Sequence, residues 1–332
     1  MSLYTVTLKK YTDVEVIEMI VSMNNVIKRY ENERLALDHM NFHVNKGEVI
    51  GLLGPNGAGK TTAIKSIVGL LDIDEGSIEV FGEKHNGQNR SVKSRIGLVT
   101  QEVTVYDDLN AYENLLFFGK LYGLKGERLK KRIEEVSRLI GLENRLKESP
   151  KRYSGGMRRR LNIGCALLHE PELLIMDEPT VGIDPQSRHY ILEFVKKLAR
   201  DTGTSILYTS HYIEEVEAIA DRVAIIDQGH IIAEGTMDKL VAKIKGDRHT
   251  LIRVESPKED ALSDIRDIAD VKEVSLDQDT YHVVTPPGVR ILDRLLTTLS
   301  PMTILDVSDK QPNLEDVFLM LTGKSLRDGE VE

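Results

Sequence analysis

GPNGAGKT, residues 54–61, stands between the apolar run EVIGLL (48–53) and the stretch TTAIKSIVGLL (61–71). It fits the pattern G-x-x-x-x-G-K-[S/T] and has the strand before it and the helix after it that the pattern needs. EVIGLL is short and nearly unbroken in apolar character, as a strand buried on both faces of a parallel sheet must be. Ile64, Ile67, Val68 and Leu71 recur at i, i+3, i+4 and i+7 and predict one apolar stripe on the helix that follows. Glycines in the loop let successive backbone N–H groups turn inward around phosphate oxygens, and the helix start adds the positive end of its dipole. Lys60 is expected to reach the β- and γ-phosphates of a nucleotide, and the Thr61 hydroxyl to ligate Mg²⁺. An unliganded glycine-rich turn is the plain alternative, and the flanking strand and helix weigh against it.

The chain of 332 residues, 41% of them hydrophobic, can fill a large domain and a small one. Its 44 basic side chains against 53 acidic ones leave a net charge of −9, which opposes a surface built to neutralise nucleic-acid backbone. Cys165, the single cysteine, lies in the apolar run Ile163 to Leu168 and reads as a small core residue in a reducing cytoplasm. No charge-free apolar run approaches the roughly 18 residues needed to span a bilayer. The N-terminus MSLYTVTLKKYTDVEV has no apolar signal core, so a soluble chain is expected, with any membrane crossing supplied by another polypeptide. Residues 1–16 form an extension to which no role is given.

Residues 17–49 alternate like strands, in Met19 to Met23 and Leu35 to Val44, with a turn at Asn45-Lys46-Gly47, and predict an antiparallel β subdomain. IGLVTQ (96–101) is another buried strand. Residues 107–148, with ENLLFFGKLYGL and RLKKRIEEVSRLIGL, predict a helical insertion, so that a helical subdomain spans about 105–165. Alternation of strand and helix resumes in ELLIMD (172–177), HYILEFVKKLAR, TSILYTS (204–210) and IEEVEAIA, then the strand pair RVAIID and HIIAEG. After Lys245-Gly246-Asp247, residues 249–323 read as strand, helix, strand, strand, helix, strand, helix, a small separate α+β accessory domain. The fold class is α/β.

Asp177 and Glu178 end the run Leu173 to Met176 at the C-terminal edge of a buried parallel strand, where open α/β sheets bind ligands. Asp177 is placed to hold Mg²⁺ through water, and Glu178 to orient and deprotonate an attacking water. Alone, such a pair is equally a solvated strand edge or a helix cap. His211 ends TSILYTS and Gln101 ends IGLVTQ, each at a strand end within reach of a γ-phosphate, although a lone histidine is ordinarily structural. KRYSGGMRRRLNIG (151–164) presents a second bare helix start, with Ser154 as N-cap and Gly155-Gly156 leaving first-turn amides uncovered. A flexible cap is the bland explanation of that stretch, because one nucleotide needs only one such cradle.

The phosphate loop GPNGAGKTT, Gln101, YSGGM (153–157), LLIMDEP (173–179), the VGID loop ending at Asp184 and TSH ending at His211 occur together in one order and spacing. Over about residues 17–245 the sequence thereby resembles the ATP-binding-cassette (ABC) transporter ATPases. The resemblance implies a P-loop NTPase core carrying an antiparallel β subdomain and a helical subdomain. It further implies that two copies close head to tail on ATP and Mg²⁺, with Ser154, Gly155 and Gly156 of one copy capping the γ-phosphate held by the other. Asp184 would communicate across that dimer, and His211 would hold the γ-phosphate. Tyr30 matches the adenine-stacking aromatic, though on local grounds it is equally an ordinary strand tyrosine. The implied catalytic set is Glu178, His211, Gln101 and Lys60, and the implied metal set is Thr61, Gln101 and Asp177. The implied nucleotide set is Tyr30, Gly54, Pro55, Asn56, Gly57, Ala58, Gly59, Lys60, Thr61 and Thr62, with Ser154, Gly155, Gly156 and Asp184. The usual signature is LSGGQ; Tyr153 and Met157 replace its ends, so a sugar contact at position 157 loses its amide.

YSGGM with its arginines, DEPTVGIDP, LNAYENLLFFGKLYGL (109–124) and NLEDVFLMLTG (313–323) are similar to the ATPases of drug-resistance-type exporters, whose branch often carries a small C-terminal domain. That likeness implies ATP-driven export through a separate transmembrane permease subunit, received at Val103 to Glu113 with Tyr106 and Leu109 as dock residues. It also implies a dimer with a second copy or a homologous ATPase, and a peripheral place on the inner face of the cell membrane. A soluble ABC-type ATPase acting on nucleic acid or ribosomes is one alternative, opposed by the acidic charge and the single cassette. A nucleotide sensor is another, opposed by the presence of Glu178 and His211.

Overall fold

The protein is described here by a computed structural model over residues 18–30, 34–241, 247–310 and 313–322. Along the chain run β1 (Met19–Arg29), β2 (Leu35–Asn45), β3 (Val49–Leu53), α1 (Lys60–Ile67), β4 (Glu75–Val80), β5 (Glu83–Lys84), α2 (Arg90–Lys93) and β6 (Ile96–Val99). A helical arm follows, of α3 (Ala111–Leu121), α4 (Gly126–Leu139) and α5 (Gly155–Leu167). The chain then returns through β7 (Leu173–Asp177), α6 (Pro185–Thr202), β8 (Ser205–Ser210), α7 (Ile213–Ile219), β9 (Arg222–Asp227), β10 (His230–Gly235) and α8 (Met237–Val241). The last part comprises β11 (Arg248–Val254), α9 (Ala261–Arg266), β12 (Glu273–Asp277), β13 (Thr280–Thr285), α10 (Leu292–Thr298), β14 (Ile304–Lys310) and α11 (Leu314–Thr322).

A six-stranded sheet of order β10-β9-β3-β8-β7-β6 lies at the centre, parallel except for the β9–β10 edge. β3 and β7 are buried along their whole length, and their side chains alternate between two separate cores. Val49, Leu53, Leu174 and Met176 pack with the helices, through Leu115, Leu161, Val195 and Val216. Ile50, Leu52, Leu173 and Ile175 pack on the other face with Ile64 and Ile67 of α1 and with Met23 and Val44 of the antiparallel sheet β2-β1-β4-β5. Two apolar faces on one strand are the reason EVIGLL and LLIMD carry no polar alternation. Among the described residues no helix is long and apolar enough to cross a membrane.

Three features of the structure depart from the sequence reading or lie beyond it. The stripe on α1 does not extend to Leu71: Gly69 turns to φ 67°, and the carbonyl of Lys65 accepts from the N–H groups of Leu70 and Leu71, closing the helix after Val68. β4 and β5 lie in DIDEGSIEVFGEK, a segment to which the sequence reading gives no element: β4 buries only Ile78 and Val80 and the two-residue β5 buries neither side chain, too short an apolar alternation to mark a strand. The third concerns residues 249–323. β11 to β14 and the helices α9 and α10 form a βαββαβ unit of strand order β12-β13-β11-β14 around Ile252, Tyr281, Val283, Leu295 and Leu299. α11 is not part of that core: Leu314, Val317 and Phe318 join the helical core of the central unit, and the Leu314 N–H donates to Glu217 of α7 at 3.4 Å. Residues 1–16, the expected boundary near 246 and the tail after 322 lie outside the described residues.

Candidate functional site

The loop after β3 ends on Gly59, whose φ of 113° suits glycine and starts α1 with its first amides uncovered. Lys60, the first residue of α1, is buried and folds back over the loop, donating to the carbonyls of Gly54 at 2.7 Å and Pro55 at 3.2 Å. Its Nζ also lies 3.4 Å from Glu178 Oε1. Burial pushes the Lys60 ammonium below its usual range, and Glu178 pulls it partly back.

Register brings the other groups to the same edge. β7 and β8 pair so that Asp177 stands beside Thr209. The Thr209 hydroxyl donates to Asp177 Oδ1 at 2.8 Å and accepts from the Glu178 N–H at 2.9 Å, while Thr61 Oγ1 donates to Asp177 Oδ2 at 3.1 Å. Glu178 takes φ 44°, a left-handed conformation that costs about 1 kcal/mol in a non-glycine residue and aims its carboxylate back at the loop. Its Oε2 lies 3.4 Å from His211 Nδ1, at the end of β8. The His211 contact, opposed by burial and aided by Lys60, holds the Glu178 carboxyl below the usual carboxylate range.

Tyr30, Asn56, Gly57, Gly59, Lys60, Thr61, Thr62, Gln101 and Glu178 line one cleft of about 260 Å³. The Tyr30 hydroxyl lies 3.2 Å from Thr62 Oγ1 at its mouth. Gly54, Pro55 and Ala58 complete the loop, and Asp177 and His211 reach it through Thr61 and Glu178. Ser154, Gly155, Gly156 and Asp184 are absent from the lining. Ser154 caps α5 on the surface, its Oγ accepting from the Met157 N–H at 3.2 Å, and Asp184 caps α6, accepting from the Ser187 N–H at 2.9 Å. A wider groove of about 820 Å³ between α4 and α6, past Tyr190 and Arg200, contains none of these side chains.

The arginines after the second glycine pair are structural ties. Arg159 is buried and donates to the carbonyls of Thr100, at 2.6 Å, and Gln101, fixing the loop that carries the Gln101 side chain. Arg158 pairs with Asp107, and Arg160 donates to the Ile140 carbonyl and covers the Tyr190 ring at 4.6 Å. On α3 of the helical arm, buried Asn114 accepts from the Tyr106 N–H and donates to its carbonyl, and so pins an exposed aromatic patch. Tyr106 there meets the Phe117 ring edge-on at 5.0 Å, and Leu121 is 70% exposed.

Cys165 is buried, and burial alone drives its thiol far above the usual range, which leaves it inert. Two residues near the chemistry were not marked by sequence reasoning. Thr209 lies inside TSILYTS, and only strand register tells it from its neighbours. Arg34, which lines the cleft and reaches the Gly57 carbonyl at 3.5 Å, carries no local pattern.

The profile of the ABC transporter family matches residues 37–181. The linearmycin resistance ATP-binding protein LnrL of Bacillus subtilis (strain 168) is 45% identical over 306 residues, 91% of this chain and 98% of that protein. The Nod factor export ATP-binding protein I of Sinorhizobium fredii (strain NBRC 101917 / NGR234) is 38% identical over 311 residues, 94% of this chain and 88% of that protein. A solved ATP-binding cassette, dimeric in a post-hydrolysis state with ADP and Pi, superposes with a TM-score of 0.60 at 27% identity, covering 65% of this chain and 98% of that one. With such identity over nearly the full length of a curated relative, and with the cassette fold built around its phosphate loop, the chain belongs to the ATP-binding, ATP-hydrolysing subunits of the ABC transporters.

Proposed function

We propose that the chain works as one of two ATPase copies that close head to tail over a pair of ATP molecules and drive export through a separate transmembrane permease. One observation carries this reading. Lys60, Thr61, Asp177, Glu178 and His211 meet at the ends of β3, β7 and β8, while the Ser154-Gly155-Gly156 helix start opens outside their cleft. Each chain thus holds one half of a triphosphate pocket and a spare anion cradle. The dimeric arrangement of the related cassette supports pairing, and relatives named for drug resistance and Nod factor export support an outward direction.

In this reading Tyr30 stacks on the adenine, and the loop from Gly54 to Gly59, with Thr62, cradles the phosphates. Lys60 leaves the carbonyls of Gly54 and Pro55 for phosphate oxygens. Thr61, Asp177 and Gln101 offer oxygen donors beside the cleft, a set that suits Mg²⁺, which keeps most of its ligands as water and phosphate. The ion, when bound, neutralises charge on the phosphoryl group in transfer. Glu178 orients the attacking water and accepts its proton. Once phosphate oxygens engage Lys60 and His211, Glu178 loses the two partners that lower its basicity, so binding prepares the base.

Ser154, Gly155 and Gly156 of the mate close on the γ-phosphate, and Asp184 relays closure along α6. The patch of Tyr106 and Phe117, with Leu109 beside it, receives the permease and holds the chain at the cytoplasmic face of the membrane. Residues 17–245 together with α11 act as the ATPase unit, and the β11–β14 sheet is its accessory domain.

The test is Glu178→Gln. It should bind ATP, lower kcat by at least about a hundredfold, and accumulate an ATP-dependent dimer visible by size-exclusion chromatography. Near-normal hydrolysis by that variant would remove Glu178 from the role of base.

A further inference from the structure

Glu215 lies in α7, is 2% exposed, and has no part in the reaction as described so far. Its carboxylate collects partners from three other segments. Thr180 Oγ1 stands 2.7 Å from both of its oxygens, so one hydroxyl proton is shared between them. Oε2 also accepts from Tyr208 OH and Ser210 Oγ of β8, each at 2.9 Å, and Arg188 Nε of α6 forms an ion pair with Oε1 at 3.3 Å. Each segment carries a residue of the proposed mechanism: Thr180 is two positions after Glu178, Ser210 directly precedes His211, and Arg188 is in the first turn of the helix capped by Asp184.

That same turn touches the second glycine cradle. A Cβ placed on Gly156 would fall 2.0 Å from Ser187 Oγ, so the starts of α5 and α6 are packed backbone against side chain. The Arg188 guanidinium covers the Tyr212 ring at 4.3 Å, and the Tyr212 N–H donates to Ser210 Oγ at 2.9 Å. A continuous chain of contacts therefore runs from Gly156 through Ser187 and Arg188 to Glu215, and from there to the loops of Glu178 and His211. A buried carboxylate is tolerated only while its donors stay in place. Movement of α6 that withdraws Arg188 leaves the anion short of its cation, and the hydroxyls of Thr180 and Ser210 must readjust.

We infer that Glu215 is a positioning residue that couples the two half-sites one chain supplies, linking the glycine cradle of α5 to the base and histidine of its own cleft. The inference rests on the head-to-tail reading above. Its physical content is a single anion shared by the three segments that must move together when the mate closes.

The experiment measures ATP hydrolysis against ATP concentration for the purified full chain, with monomer affinity read by a fluorescent nucleotide and folding by thermal denaturation. Glu215→Gln should lower kcat about tenfold, keep nucleotide affinity within about twofold, and reduce the Hill coefficient to unity. Arg188→Gln, which cuts only the α6 branch at a partly exposed site, should abolish cooperativity with a smaller loss of kcat, and Arg188→Lys should restore it. If Glu215→Gln fails to fold, the Arg188 pair decides the matter alone. Cooperative wild type with an unchanged Hill coefficient in Arg188→Gln overturns the coupling role and leaves the sandwich intact. A wild type that neither dimerises with ATP nor shows cooperativity overturns the sandwich, and the coupling role falls with it.

Discussion

α1 and α5 both start at bare glycine, Gly59 before the one and Gly155-Gly156 in the other, and they start in opposite company. α1 starts inside a cleft, with Lys60 buried over its own loop and Thr61, Asp177, Glu178 and His211 within a few ångströms of one another. α5 starts on the outer surface with only Ser154 as its cap. The arginines that follow it face backbone carbonyls and ring faces of the same chain. A helix N-terminus supplies amides and a partial positive charge to any anion. What separates the two is everything around them: Lys60, Thr61, Asp177, Glu178 and His211 gather at the first, and none of these side chains lies at the second. On the head-to-tail reading, α5 finishes a pocket that it lacks the side chains to make alone.

The most direct way to break this contrast is to disable each cradle in turn. Lys60→Ala should abolish hydrolysis, a loss of more than about a thousandfold, because the β- and γ-phosphates lose their buried cation. Ser154→Phe should leave monomer affinity for ATP nearly unchanged, yet prevent ATP-dependent dimerisation and turnover. Mixing the two inactive variants should then recover hydrolysis that neither has alone, since a mixed dimer contains one pocket built from two intact halves. Mixed dimers that form and stay inactive would mean that α5 does not complete its mate's pocket.

Much of that contrast was legible in the sequence, and the reason is local. GPNGAGKT needs only its own strand and helix to be recognised, whereas SGG alone reads as a flexible cap and takes its meaning from the motifs that accompany it. LLIMDE and TSILYTS announce buried parallel strands, so Glu178 and His211 could be placed at one sheet edge before any coordinates. Groups whose place depends on the register between distant segments were not legible. Thr209 lies beside Asp177 only because β7 and β8 pair in one register, and Glu215 meets Thr180 only because α7 packs behind that pair. α11 shows the same limit on a larger scale. NLEDVFLML has the period of a helix wherever it packs, and nothing in it reveals that it leaves the accessory sheet for the central core.

The arginines after the second cradle sharpen the comparison in energy rather than activity. Arg159→Met leaves two loop carbonyls without their buried donor, which should cost about 2–4 kcal/mol and lower Tm by about 5–15 °C. Arg158→Ala breaks a partly exposed pair with Asp107 and should cost less than about 1 kcal/mol. Equal losses for the two would mean that the Gln101 loop is not held by Arg159. The ATPase rate should follow the same order, because Gln101 enters the first cleft on the loop that Arg159 anchors.

The smallest expected effect concerns Glu178 itself. Contact with His211, aided by Lys60 against the effect of burial, lowers the Glu178 carboxyl below its ordinary value of 4.5. A carboxyl lowered by folding stabilises the fold above its unfolded-state value, and that contribution is lost as pH falls through the lower, folded value. His211→Ala removes the largest cause of the lowering, so the variant should melt slightly below wild type at neutral pH. The gap should close as the medium is taken from pH 5 down through the carboxylate range, where both proteins protonate Glu178. Thermal melts of the two proteins across that range measure it directly. A gap that persists unchanged at low pH would assign the loss to packing of the imidazole against Tyr212, whose ring centre is 4.1 Å away, instead of to the charge on Glu178.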